Sequence, residues 1–123
     1  MGYKILIIED EDFIRENIAE MLNLSGFKVE TAINGRDGID KLNIFQPDLI
    51  LCDISMPIMN GYQVLETVRN SDKHAHTPFI FLTSMANPGE VRKGLSNGAN
   101  DYITKPFRFN DLIIGIERQL GDG

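Results

Sequence analysis

The sequence predicts a three-layer α/β domain: a doubly wound, five-stranded parallel sheet with helices on both faces. Short, near-continuous apolar runs alternate with stretches of helical period, this β-α order repeats five times, and the connections are only a few residues long. Continuous apolar runs suit strands covered on both faces. Alternation with short connections implies parallel pairing through right-handed crossovers. A chain of 123 residues fits one domain with a core large enough to need no staples.

Each element has its own signal. "YKILIIE" (3–9), "DLILCD" (48–53) and "PFIFLT" (78–83) are the strong strands, whereas "KVETAI" (28–33) and "DYITK" (101–105) are weaker and belong towards the sheet edges. In the first helical stretch, "DFIRENIAEMLNLSG", Phe13, Ile14, Ile18, Met21 and Leu22 recur at spacings of three and four, and Gly26 stops it. "GRDGIDKLNIFQP" repeats Ile39, Leu42 and Phe45 and ends at Pro47. "NGYQVLETVRNS" sets Val64, Leu65 and Val68 on one face behind Asn60-Gly61, which reads as turn chemistry. "NPGEVRKGLSNGA" is the weakest helix, because Gly94 and Gly98 interrupt it. "RFNDLIIGIERQL" closes the chain with Leu112, Ile113, Ile116 and Leu120.

Composition narrows the function. The chain is 42% hydrophobic and 24% charged, with a net charge of -6. An acidic balance argues against direct nucleic-acid binding, which favours basic surfaces, and suits a site that gathers a divalent cation. Cys52 is the only cysteine, so an intramolecular disulfide is ruled out and the thiol reads as a small buried hydrophobe. No apolar run approaches the ~20 residues of a membrane span, and "MGYKILIIEDED" lacks the pattern of a signal peptide. A cytoplasmic location is expected. His74 and His76, two apart in the polar stretch "SDKHAHTP", read as solvated side chains rather than as a metal pair.

The polar residues at strand ends carry the chemistry. Glu9 and Asp10 follow the first strand, Asp53 ends the third, Thr83 ends the fourth, and Lys105 follows the fifth. Parallel strands bring these ends to one edge, where open α/β sheets bind ligands at the point of reversed strand order. In the order 2-1-3-4-5, Asp10 and Asp53 face each other across that crevice. Two adjacent carboxylates repel unless one is protonated or a cation joins them. Oxygen ligands in small number suit Mg²⁺. A carboxylate so placed can attack phosphorus, and Lys105 and Thr83 can supply counter-charge and a hydroxyl donor to the transferred group. Glu11 and Asp12 suit the start of the first helix.

At these residues the chain closely resembles the receiver domain of two-component response regulators, the single-domain chemotaxis type included. The likeness runs from "KILIIEDED" through "PDLILCDISMPIMNGYQVL" and "PFIFLTS" to "GANDYITKPF", nearly the whole chain. It implies the flavodoxin-like order 2-1-3-4-5 and a signalling switch phosphorylated on Asp53. Glu9 and Asp10 match the acidic pair that holds Mg²⁺, with Asp10 the direct ligand; Asp53 is a further ligand, and the Ser55 backbone carbonyl a third. Thr83 matches the hydroxyl that binds the phosphoryl group, and Lys105 its cationic partner, with a cis Lys105-Pro106 bond. Tyr102 matches the aromatic switch that turns inward with Thr83, repacking the face formed by the fourth helix, fifth strand and fifth helix.

The resemblance also implies partners: a histidine kinase or histidine phosphotransfer protein, a downstream protein or output domain, and a homodimer through that same face. No nucleic acid or membrane is expected as a direct partner. Ser84 stands where the family more often has alanine, and neither Met85 nor Ser55 can position an attacking water. Self-dephosphorylation is therefore expected to be unexceptional, and a half-life of about a few seconds in Mg²⁺ would refute this. The chain ends at "QLGDG" soon after the last helix, so a single receiver domain without an output domain is expected.

Other classes fit less well. An aspartyl-phosphate hydrolase usually needs a second acid two residues after its nucleophile, and that position is Ser55, so catalysis is expected to stop at the chain's own phosphorylation and dephosphorylation. A flavin module of similar topology needs a Ser/Thr/Gly-rich phosphate loop, and "EDED" repels phosphate. A receiver that never takes phosphate is disfavoured because no core position is missing.

Overall fold

The computed structural model describes residues 2–84 and 88–121. Strands β1 (Lys4–Ile8), β2 (Lys28–Ala32), β3 (Leu49–Asp53), β4 (Phe79–Thr83) and β5 (Asp101–Thr104) alternate with helices α1 (Asp12–Leu24), α2 (Gly35–Phe45), α3 (Gly61–Arg69), α4 (Pro88–Ser96) and α5 (Phe109–Leu120). All neighbouring strands pair in parallel, in the order β2-β1-β3-β4-β5. The two weaker runs are therefore the edges.

Alternation along the strands builds two cores. Leu6, Ile8, Ile50, Cys52, Phe79 and Phe81 pack on one side with Leu42, Val64, Leu65 and Val68. Ile5, Ile7, Leu49, Leu51, Ile80 and Leu82 pack on the other with Ile18, Leu22, Leu112 and Ile116. Both faces of the central strands are covered, which is why they read as unbroken apolar runs. No described helix is long and apolar enough to cross a membrane.

Several local devices differ from the sequence reading. The buried stripe of α1 is Arg15, Ile18 and Leu22, while Phe13 is 79% exposed. Helix α2 ends because Gln46 turns left-handed (φ 55), the residue before a proline being disfavoured in helix. Asn60 and Gln63 form a reciprocal capping box on α3. His74 is not solvated: it is only 3% exposed, its Nδ1 lies 2.9 Å from the Thr77 hydroxyl oxygen, and its Nε2 has no hydrogen-bond partner among the described residues. Burial and the nearby Lys73 lower its pKa.

Candidate functional site

The apolar strands deliver their polar ends to one edge of the sheet. Strand β1 stops at Ile8, so Glu9 and Asp10 stand just beyond it, beside β3, where Ile8 pairs with Cys52 and the next residue is Asp53. Thr83 ends β4 and is buried. Lys105 follows β5, and its backbone N–H donates to the Thr83 carbonyl at 2.7 Å. The Lys105-Pro106 bond is cis.

Glu9, Asp10 and Asp53 each offer a carboxylate oxygen, and these atoms lie within 4.8 Å of one another. Glu9 is fully buried, Asp53 is buried and Asp10 is exposed. Lys105 binds two members of this group, its Nζ 2.7 Å from Glu9 Oε1 and 3.5 Å from Asp53 Oδ1. The second Glu9 oxygen accepts the Glu11 backbone N–H at 3.2 Å. Both Glu9 oxygens therefore have donors, which leaves Asp10 and Asp53 as the better placed pair for a cation. Hard oxygen donors grouped this closely fit Mg²⁺.

Three carboxylates share one ammonium here. Burial first, and then the charge of Glu9, pushes the Asp53 carboxyl up to about 7; Lys105 pulls it down and Asp10 adds to the rise. Burial opposes the Lys105 charge, yet the Glu9 hydrogen bond and the Asp53 charge hold its pKa above the ordinary lysine range. Burial raises the Cys52 thiol, helped by Asp53 and Glu9. The thiol stays protonated and packs as an apolar group, its Sγ 3.2 Å from the Asp53 carbonyl.

Ser55 is exposed two residues beyond Asp53, and Tyr102 lies on edge strand β5, 39% exposed. Met85 lies outside the described residues. Arg15 gave no signal beyond its charge in the sequence, yet it is buried against the site with its guanidinium 2.9 Å from the Glu9 carbonyl and 2.6 Å from Asp12. Ile58, in the loop after Asp53, holds a left-handed φ of 70. Its neighbour Pro57 gave no warning of that.

Comparison with known proteins agrees with this geometry. The family model of the response regulator receiver domain matches residues 5–117. The chain is 41% identical over 113 residues to the cell cycle response regulator CtrA of Brucella ovis, covering 92% of this chain and 48% of that protein. It thus spans about half the length of the curated relatives it matches. Chemotaxis protein CheY4 of Vibrio cholerae superposes with a TM-score of 0.92 at 30% identity, covering 96% of this chain and 98% of that one. The receiver domain of the sensor histidine kinase PA1611 from Pseudomonas aeruginosa, solved with a magnesium ion in its active-site cleft, superposes with a TM-score of 0.90 at 30% identity, covering 99% of this chain and 100% of that one. The chain belongs to the response regulator receiver domain family of two-component signalling.

Proposed function

We propose that this chain is a phosphorylation-activated switch whose phosphoacceptor is Asp53. The observation that carries the reading is the meeting of Glu9, Asp10, Asp53 and Lys105 at one edge of the sheet. The phosphoryl donor is a histidine kinase or phosphotransfer protein. An oxygen of Asp53 bonds to phosphorus as the bond to the donor's imidazole nitrogen breaks, and the imidazole takes up a proton. Asp10 and Asp53, with the Ser55 carbonyl, would hold Mg²⁺, which when bound would supply charge neutralisation for the phosphoryl oxygens, and Glu9 shapes the site while holding Lys105. Lys105 exchanges Glu9 for a phosphoryl oxygen, and the Thr83 hydroxyl donates to another.

The consequence is a population shift, with Thr83 drawn towards the phosphate, Tyr102 turning inward, and the α4-β5-α5 face repacking for a downstream protein, an output domain or a second copy of the chain. The chain works in the cytoplasm, catalyses only its own phosphorylation and dephosphorylation, and with its acidic charge does not itself bind DNA. A groove of about 380 Å³, lined by Ile14, Ile18, Met21 and Phe107 and reaching Ser84 and Lys105, offers the donor an apolar seat beside the site. Incubation with acetyl phosphate and Mg²⁺ followed by intact-mass measurement is the test. The wild type is expected to gain one phosphate, and Asp53→Asn none. No gain, or a gain that survives the substitution, overturns the reading.

A further inference from the structure

Asp10, the carboxylate best exposed to a cation, lies in no strand, and something other than the sheet ladder must aim it. The backbone before it is held at two points. The Glu9 N–H donates to the Ala32 carbonyl of β2 at 3.1 Å, and the Glu9 carbonyl accepts from Arg15 Nη1 at 2.9 Å. That carbonyl belongs to the peptide linking Glu9 to Asp10, so its orientation sets where the Asp10 side chain points. Arg15 is 9% exposed, and a guanidinium that deep is costly unless its donors are engaged. Its second arm is taken by Asp12 Oδ1 at 2.6 Å, across one helical turn. Asp12 is itself largely exposed, with 80% of its side chain open to solvent, so its visible role is to orient the fork of Arg15. A lysine offers a point charge and cannot bridge both acceptors in this fixed geometry.

We infer that Arg15 is a positioning residue for the cation site: through the Glu9 carbonyl it aims Asp10 at Asp53, with Asp12 as its counter-ion. This rests on the functional reading above and adds a named dependence of Mg²⁺ affinity on a residue that touches no ligand. Outer-shell partners of metal ligands characteristically change affinity by about 10–100-fold. The exposed counter-ion contributes less than the guanidinium itself.

The experiment is calorimetric titration of the full chain with MgCl₂ for the wild type, Arg15→Lys, Arg15→Met and Asp12→Asn, alongside acetyl-phosphate labelling rates against Mg²⁺ concentration. Arg15→Lys and Arg15→Met are expected to weaken Mg²⁺ by about tenfold, and Asp12→Asn by about twofold to threefold. At saturating Mg²⁺ the labelling rates should return to within about twofold of wild type, a split that general loss of folding would not produce. Asp12→Asn alters an exposed side chain and keeps the test open if Arg15→Met fails to fold. Affinities indistinguishable from wild type in Arg15→Lys and Asp12→Asn overturn this inference alone. A wild type that binds Mg²⁺ but takes no phosphate overturns the functional reading and leaves the dependence of affinity on Arg15 to be scored separately; one that binds no Mg²⁺ overturns both.

Discussion

Asp53 sits where a carboxylate is least comfortable, and its discomfort has a pH signature. Its folded pKa near 7 lies above its ordinary value of 3.8. Between those two pH values the folded protein holds a proton that the unfolded chain has lost, so stability is full below about pH 4 and falls as pH rises to about 7. Without metal, Asp53→Asn should therefore be more stable than wild type at pH 8, on the order of 2 kcal/mol after allowing for solvent screening. The gap should close near pH 4 and shrink as Mg²⁺, which binds the ionised form, is added. Denaturant melts at the two pH values check this. Ile58 is a second strained residue, a β-branched side chain at φ 70 and 80% exposed. Ile58→Gly relieves that strain at some entropic cost, and an increase in stability of about 0.5–1 kcal/mol is expected by the same melts. A decrease would show that the side chain, not its backbone, matters there.

At the scale of elements, glycines decide how closely the helices approach the sheet. A Cβ on Gly61 would lie 2.5 Å from the Asp53 carbonyl oxygen and 2.8 Å from the Ile54 Cα. Both are backbone atoms at the strand end that carries Asp53, and neither can yield. Gly61→Ala should cost about 2–3 kcal/mol and slow acetyl-phosphate labelling of Asp53, measured on the folded fraction. An unchanged labelling rate would mean that α3 absorbs the displacement by itself. Gly94 tells the same story on α4. It looks like a weakness in a helical pattern, but a Cβ there would lie 2.7 Å from the Phe81 ring. The missing side chain is what lets α4 lie against β4.

Across the whole molecule, the edge opposite the acidic site is tied by one arginine. Arg69, at the end of α3, donates from Nη1 to the His74 and Thr77 carbonyls at 3.1 and 2.8 Å. It also donates from Nε to the Gly98 carbonyl and from Nη2 to Asn100 Oδ1, both at 3.0 Å. Asn100 in turn accepts from the Phe79 N–H, so one guanidinium joins α3 to the loops that start β4 and β5. Arg69→Ala should lower stability by about 3 kcal/mol, and Arg69→Lys should recover little of it. Labelling of the remaining folded protein with acetyl phosphate should be unchanged, because the two edges of the sheet are separate. A loss of labelling without a loss of Tm would contradict this division.

Asp10, Asp53, Thr83 and Lys105 were legible in the chain because an apolar run that stops at a polar residue marks a strand end, and parallel strands share an edge. The strand order and the edge positions of 28–33 and 101–105 followed from the same patterns and the family likeness. Arg15, His74 and the roles of Gly61 and Gly94 were not legible. Each depends on how far a helix turns about its axis or how near two backbones come. Helix α1 turns Arg15 inward and leaves Phe13 in solvent, although hydrophobicity alone ranks them the other way. Periodicity states which faces a chain has, whereas charge pairing and close contact across distant segments settle which of them is buried, and those forces arise only once the segments have met.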